Sequence, residues 1–181
     1  STAAFGVTRE GGMMQALKAL RTLQKDPASI MAEVYERMML DEKSQKGFAQ
    51  FFDDVLATDE GSVLWHCTIG KDRAGLAAAL LLYVLGVERE AIEQDYLATN
   101  NYVQSETQNI MDALSSFGLG DKLDKSIHVI NSADPRFLKS ALDAVEQHYG
   151  SVDAFVRDQL NVTDEKRDAL RARYLTDNPQ G

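Results

Sequence analysis

The single cysteine of this chain lies in a stretch whose residue types could cradle and attack a small anion. Over residues 65–75 the sequence reads WHCTIGKDRAG, with five residues between Cys67 and Arg73. A tight loop of that length returns the arginine side chain over the thiol, where a planar guanidinium can bind two oxygens of a phosphate. The spacing therefore predicts a phosphate-sized anion site with a sulfur nucleophile, Cys67, at its floor.

The neighbouring residues would activate the thiol and bind the anion. Helix N-termini and nearby cations lower the pKa of a thiol from about 8.5, and a helix is predicted to begin near residue 74. Backbone N–H groups of residues 68–73 can turn inward as an anion nest, and Gly70 allows the close turn. The predicted anion-binding residues are Thr68, Ile69, Gly70, Lys71 and Ala74.

Two further residues of this stretch, Asp72 and His66, could take part in the chemistry. Beside a thiolate and a dianion the pKa of Asp72 would rise, so that it could protonate a leaving group; alternatively, Asp72 caps the helix that follows. His66 is expected to orient the loop by hydrogen bonds rather than to act as a base.

Composition limits the class of protein. The chain has 181 residues, 44% of them apolar and 26% charged, with a formal net charge of −9. That size and balance fit one soluble domain, and the negative charge argues against nucleic-acid binding. One cysteine excludes an intrachain disulfide and a Cys-rich metal site. His128 and His148 have no partners at ligand spacing, so neither a metal nor a cofactor is expected.

No signal segment opens the sequence, and its longest apolar run covers the twelve residues 76–87. Crossing a bilayer takes roughly 20 residues. We therefore expect a cytoplasmic or secreted protein without a membrane span.

Helical periodicity dominates the chain. One predicted helix covers residues 13–23 and a second begins at Asp26-Pro27. Four more span about 43–57, 76–85, 88–98 and 102–117, and another runs from Asp134-Pro135 to Tyr149-Gly150. The last two begin at Ser151 and at Thr163. Gly86 is placed to end the central helix, and Gly118 and Gly120 predict a turn. Only residues 62–66 predict a convincing buried strand; 127–130 and 4–8 are weaker candidates. The predicted class is α/β and helix-rich.

Three segments resemble bacterial tyrosine/dual-specificity phosphatases that carry a His-Cys-x-x-Gly-Lys-Asp-Arg-Thr-Gly loop, some of which pathogens secrete. They are the loop at 66–75, the segment Asp-Tyr-Leu-Ala-Thr-Asn at 95–100, and Tyr-Gly-Ser-Val-Asp-Ala at 149–154. The resemblance extends from about residue 31 to the end of the chain. It implies a parallel sheet flanked by helices. Because few strands are predicted here, either the sheet is small or its remaining strands lie in a part of the domain that this chain lacks; in the second case residues 1–181 form one domain equivalent to the C-terminal two-thirds of the family's.

The resemblance also implies an activity. It predicts a cysteinyl-phosphate intermediate, no metal, and hydrolysis of phosphotyrosine, with phosphoserine, phosphothreonine or phosphoinositides as further substrates. The position of Lys71 is the feature associated with lipid phosphates. Asp95 is expected to support the site through a hydrogen bond or to lie on a helix face. The helix at 102–117 is either a lid over the site or an ordinary surface helix.

One residue of the loop departs from the family pattern. Ala74 stands where a threonine or serine hydroxyl would donate to the thiolate, a hydrogen bond worth about 1.5–3 kcal/mol, or roughly one to two pKa units. A less acidic Cys67 and slower phosphoenzyme breakdown are expected. An alternative is a pseudophosphatase that binds phosphorylated partners without turnover, although the intact Cys67 and Arg73 argue against it. Sulfur transfer is disfavoured because such loops are usually one residue shorter.

Overall fold

The computed structural model describes residues 26–116 and 120–175, apart from the side chains of residues 106, 114 and 120–123. The regular structure of this part is helical. Its α-helices are α1 (Pro27–Leu40), α2 (Glu42–Ala57), α3 (Asp72–Leu85), α4 (Arg89–Ala98), α5 (Gln104–Ser116), α6 (Gly120–Asn131), α7 (Pro135–Tyr149), α8 (Val152–Asp158) and α9 (Asp164–Tyr174), with a short 3-10 helix at Thr99–Asn101.

Capping residues set the helix boundaries as the sequence predicts. The side chains of Asp26, Asp134, Ser151 and Thr163 each accept a hydrogen bond from a backbone N–H in the first turn of α1, α7, α8 and α9. Such caps satisfy N–H groups that have no partner within the helix. Gly86 ends α3 with a φ of 91°, a left-handed conformation that glycine adopts without strain.

The central helix is α3, because it is buried along most of its length. It packs against α2, α4 and α9, while α1 packs against α7. Its buried residues are Leu76, Ala77, Ala79, Leu80, Leu81 and Val84. Large aromatic side chains from the surrounding helices complete the core: Tyr35, Phe52, Phe137 and Phe155 are each fully buried. The loop that contains Cys67 therefore precedes a helix that three neighbouring helices hold in place.

Two strand predictions are wrong for the described residues. Residues 62–66 form no strand: Val63 and Trp65 pack on the core, but Leu64 between them is 89% exposed. A strand needs a hydrogen-bonded neighbour, and the described part of the chain supplies none here. Residues 127–130 lie inside α6. The predicted strand at 4–8, the helix at 13–23 and the turn at Gly118 lie outside the described residues, whereas Gly120 begins α6.

The candidate active site

The loop at residues 67–71 is attached to the helical core on both sides. Before it, the Trp65 indole N–H donates to the carbonyl of Ala74 in the first turn of α3, with 3.2 Å between the two atoms. The Trp65 ring also packs edge-on against Phe51 of α2, with 5.1 Å between ring centroids. After the loop, the N–H of Gly75 bonds to the carbonyl of Lys71 as α3 begins. These contacts fix where the chain enters and leaves the loop.

Cys67 lies half-buried where backbone N–H groups converge. Burial raises the pKa of its thiol, but the N–H groups of Ala74, Ile69, Gly70 and Arg73 act in the opposite direction, and the net result is a lowered pKa. Thiolate is the nucleophilic form of cysteine. Gly70 has a φ of 72°, which places the loop backbone in a conformation that suits glycine. The sulfur thus faces the kind of N–H nest that the sequence predicts.

Arg73 and Thr68 meet across the loop. A terminal nitrogen of the exposed Arg73 guanidinium donates to Oγ1 of Thr68 over 3.2 Å. This contact holds the guanidinium beside Thr68, the residue that follows Cys67. Within residues 26–116 and 120–175 the other N–H donors of the guanidinium have no partner, so they can bind the oxygens of an anion in the bidentate geometry that arginine provides.

Asp72 begins α3, yet the structure does not use its side chain as the helix cap. The N-cap residue is Lys71, and it has no side-chain capping hydrogen bond. Instead, Oδ1 of Asp72 accepts from the Tyr35 hydroxyl at 2.7 Å and lies 3.1 Å from Nζ of Lys71. Its side chain is 27% exposed. Of the two predicted roles, the geometry therefore disfavours capping.

Lys71 points into the protein rather than out of the loop. Its side chain is completely buried, and Nζ donates to the carbonyls of Ile130 and Ser132 as well as pairing with Asp72. The Nζ atom also lies 5.8 Å from the centroid of the Phe137 ring. Burial lowers the pKa of Lys71, and the charge of Asp72 counteracts that effect. The side chain ties the loop to the end of α6 and the turn that follows it.

Sequence reasoning missed two tyrosines that meet beneath the loop. Tyr35 of α1 and Tyr96 of α4 are buried, and their hydroxyl oxygens lie 2.7 Å apart. Burial, followed by the charge of Asp72, raises the pKa of Tyr35; burial also raises the pKa of Tyr96. The signal for Tyr96 was its place in the segment at 95–100. Tyr35 had only the helical apolar spacing of α1.

The other predicted residues occupy peripheral positions. His66 is exposed, and its Nδ1 lies 3.2 Å from the carbonyl oxygen of Cys67, which fits a role in orienting the loop. Asp95 is exposed on α4, while the hydroxyl of the adjacent Tyr96 bonds to that of Tyr35. The side-chain amide of Asn100 donates to the carbonyl of Ala133 at 2.9 Å and accepts from the N–H of the same residue at 2.7 Å.

Helices α5 and α6 form a hairpin whose base lies close to the loop. The two helices pack against each other, and α6 also packs on α1. The Asn100–Ala133 hydrogen bonds join the two ends of the hairpin, and Lys71 binds the carbonyl of Ile130 near the end of α6. The hairpin is therefore connected to the loop through buried polar contacts. Whether α5 covers the site stays a prediction.

A groove beside the loop gives access to its outer side. It has a volume of about 340 Å³ and is lined by aromatic residues of α2 together with Trp65, His66, Arg73 and Ala74. Among residues 26–116 and 120–175, no three His, Cys, Asp or Glu side chains are grouped so that they could hold a metal ion. No helix in the same ranges is long and apolar enough to cross a membrane.

Comparison with known proteins shows the family to which this chain belongs. The sequence profile of the tyrosine phosphatase family matches residues 5–176. A protein of Cupriavidus necator assigned as a tyrosine-protein phosphatase is 31% identical over 165 residues, which make up 90% of this chain and 55% of that protein. This chain belongs to the tyrosine phosphatase family.

Two more relatives share parts of the chain. A tyrosine-protein phosphatase of Nostoc commune is 29% identical over 135 residues, covering 72% of this chain and 45% of the relative. The triple specificity protein phosphatase PtpB of Mycobacterium tuberculosis is 29% identical over 105 residues, covering 53% of this chain and 38% of the relative. The chain thus spans about half the length, or less, of the curated relatives it matches.

Proposed function

We propose that this chain hydrolyses phosphate monoesters, with phosphotyrosine as the principal substrate, through a covalent intermediate on Cys67. The observation that carries the proposal is the convergence of four backbone N–H groups on the Cys67 sulfur, which lowers the pKa of the thiol. A thiolate at neutral pH is the nucleophile that such a reaction requires. Membership of the tyrosine phosphatase family supports the same chemistry.

The reaction divides into two displacements. The Cys67 thiolate attacks phosphorus while the ester oxygen leaves, and Asp72 supplies the proton that the leaving oxygen needs. Water then attacks the cysteinyl phosphate, Asp72 takes a proton from that water, and inorganic phosphate departs. Arg73 binds two phosphate oxygens, and the backbone N–H groups of the loop bind the third. The chemistry requires no metal or other cofactor.

The binding residues divide by location. Thr68, Ile69, Gly70 and Ala74 bind the phosphate at the loop surface, and Lys71 contributes its backbone N–H, because its side chain is fully buried on two carbonyls. His66 and Asp95 support the loop from outside. A phosphorylated protein fits this arrangement better than a phosphoinositide, whose extra phosphates would need an exposed cation at Lys71. Phosphoserine and phosphothreonine are secondary substrates.

We also propose that residues 1–181 form one domain and correspond to the C-terminal two-thirds of an α/β family domain. The family match and the share of each relative covered support this assignment. The parallel sheet of such a domain would then lie outside residues 26–116 and 120–175. Infrared spectroscopy of the whole chain, in the amide I band, measures its strand content and so tests whether this chain forms part of the sheet; a spectrum of helix alone would contradict that part of the proposal.

The decisive experiment measures hydrolysis of 4-nitrophenyl phosphate by the wild-type chain and by Cys67→Ser, with reductant and a chelator present. Wild-type turnover that vanishes in Cys67→Ser supports the thiol mechanism, because serine preserves shape but not nucleophilicity. Arg73→Lys tests the bidentate contact, since lysine keeps the charge and loses the planar fork. Turnover that survives in Cys67→Ser would refute the mechanism.

A binding module without turnover is the second candidate, and Ala74 is the observation that favours it, because no hydroxyl stands at this position to stabilise the departing thiolate. Orthovanadate binding, measured by calorimetry, separates the two functions. Vanadate binding without hydrolysis of any phosphate ester would favour the binding module.

A further inference from the structure

We propose that Tyr35 and Tyr96 are positioning residues for the leaving-group proton: together they fix Oδ1 of Asp72 so that Oδ2 is the oxygen that carries it. This inference rests on the proposed function, because it assigns the geometry of the acid that the function requires. It concerns the two buried hydroxyl groups that meet beneath the catalytic loop.

Each tyrosine hydroxyl has one proton to donate, and this fixes the direction of the hydrogen bonds between Tyr96, Tyr35 and Asp72. The Tyr35 hydroxyl has one proton, and it donates that proton to Oδ1 of Asp72 over 2.7 Å. Tyr35 can therefore only accept in its 2.7 Å contact with Tyr96, so the Tyr96 hydroxyl is the donor there. The chain of donors therefore runs in one direction, from Tyr96 of α4 through Tyr35 of α1 to Asp72.

The two oxygens of Asp72 end up with different surroundings. Oδ1 is held by the Tyr35 hydroxyl and by Nζ of Lys71, 3.1 Å away. Within the part of the chain that the structure describes, Oδ2 has no hydrogen-bond donor. A proton on Oδ1 would have to compete with two donors already present there. The transferable proton is therefore assigned to Oδ2 of a carboxyl group whose side chain is 27% exposed.

The tyrosines are themselves held firmly. Both are buried, with ring centroids 6.2 Å apart in an edge-to-face arrangement, and the Tyr35 ring also packs against Phe137 at 5.5 Å. Gly75 in the first turn of α3 lies against the ring of Tyr96. A carboxyl group placed by rigid, buried neighbours spends less of its time in unproductive orientations, which is the advantage that positioning gives to general-acid catalysis.

In the reaction, the proton on Oδ2 passes to the ester oxygen as the phosphorus–oxygen bond breaks and the bond between phosphorus and the Cys67 sulfur forms. Asp72 is left as a carboxylate. Its charge then faces Lys71 and the Tyr35 hydroxyl, which stabilise it until it accepts a proton from the attacking water. Tyr35 keeps its own proton throughout, so it acts only through Asp72.

The test compares two aryl esters that differ in their need for an acid. Nitrophenolate leaves readily without a proton, whereas the phenolate of phenyl phosphate does not. We expect Tyr35→Phe to reduce kcat/KM, which reports the step in which the leaving group departs, about tenfold for phenyl phosphate and less than about threefold for 4-nitrophenyl phosphate. Tyr96→Phe should show the same pattern to a smaller extent, because it acts through Tyr35.

A matched control exists in Tyr149. Its hydroxyl accepts a hydrogen bond from Gln45 at 2.8 Å, and within the described part of the chain neither residue bonds to Tyr35, Tyr96 or Asp72. Tyr149→Phe therefore removes one tyrosine hydroxyl bond without touching Asp72, and kcat/KM for both esters should stay unchanged. Thermal unfolding of all three variants, recorded under the same conditions, separates a loss of folded protein from a loss of rate.

A double-mutant cycle identifies the route. If Tyr35 acts through Asp72, then adding Tyr35→Phe to Asp72→Asn should lower kcat/KM for phenyl phosphate no further. Equal losses for both esters, or additive losses in the cycle, would overturn the assignment and make Tyr35 a packing residue. Wild-type turnover that Cys67→Ser abolishes leaves the proposed function standing whatever Tyr35→Phe does. If the wild type hydrolyses neither ester, both proposals fall together.

Discussion

Gly75 and the ring of Tyr96 lie so close together that a Cβ atom at position 75 would press against the ring. A Cβ atom at Gly75 would stand 3.1 Å from Cδ2 and 3.3 Å from Cε2 of Tyr96. The ring has little room to retreat, because it is buried against Tyr35. The absence of a side chain at position 75 therefore allows α4 to approach the first turn of α3 and brings a tyrosine hydroxyl beneath the catalytic loop.

Gly75→Ala should consequently destabilise the fold. Overpacking of a rigid core typically costs about 1–3 kcal/mol, and we expect a loss of that size in the free energy of unfolding measured with urea. Gly47→Ala is the control, because Gly47 also lies in a helix, but a Cβ atom added there would meet no other atom within 4 Å. That variant should gain about 0.5–1 kcal/mol. Equal effects of the two substitutions would contradict the close contact.

Lys71→Met should weaken the attachment between the loop and α6. The substitution keeps the length of the side chain but leaves the carbonyls of Ile130 and Ser132 without their donor and Asp72 without its cation. We expect a loss of about 2–4 kcal/mol in unfolding free energy. Hydrogen exchange should show the largest loss of protection at the end of α6 and in the turn after it.

An exposed lysine provides the comparison for Lys71. Lys139 pairs with Asp143 on the surface of α7, and its side chain is 66% exposed. Surface pairs of this kind contribute little, so Lys139→Met should change the unfolding free energy by no more than about 0.5 kcal/mol. A Lys71→Met variant as stable as this control would show that the buried amine does not hold the loop.

The thiol of Cys67 should titrate below the value of an ordinary cysteine. Because the chain has one cysteine, the rate of iodoacetamide alkylation against pH reports this group alone, and its midpoint should fall below about 8.5. The urea-unfolded chain is the internal reference and should show the ordinary midpoint. A folded midpoint at or above the reference would contradict the effect of the converging N–H groups.

The lowered pKa of Cys67 also makes the free energy of unfolding depend on pH. The folded pKa lies below the unfolded one, so the thiolate adds stability that is fully present above the unfolded pKa and is lost as the pH falls through the folded pKa. The stability of the wild type relative to Cys67→Ser should therefore increase as the pH rises between these two values. A difference that stays constant with pH would argue that the thiol has the same pKa in both states.

Ala74→Thr should make the site faster. A hydroxyl at this position would donate to the thiolate, lowering the thiol pKa further by roughly one to two units, and would stabilise the thiolate as it leaves the phosphoenzyme. The alkylation midpoint should fall and the steady-state kcat should rise. Ala74→Val is the isosteric control without a hydroxyl and should produce neither change. An unaltered midpoint and kcat in Ala74→Thr would refute the role assigned to this position.

The sequence by itself determined the parts of this protein that depend on neighbouring residues. The caps at Asp26, Asp134, Ser151 and Thr163 were confirmed because a capping side chain bonds to a backbone N–H only two or three residues away. The anion loop could be proposed for a similar reason, since its thiol, glycine and arginine lie within seven residues. The helix that begins near the end of the loop was predictable from its apolar run.

Only the tertiary structure decided which distant residues meet. Tyr35 is 37 residues from Asp72 and 61 from Tyr96, so no local pattern links them. The loop sequence likewise could not show that Lys71 points inward, because its partners are carbonyls 59 and 61 residues away. Residues 127–130 contain β-branched side chains that favour a strand, yet they pack as part of a helix against α1. Burial and hydrogen bonding between remote segments override such weak local preferences, and these contacts exist only once the chain has folded.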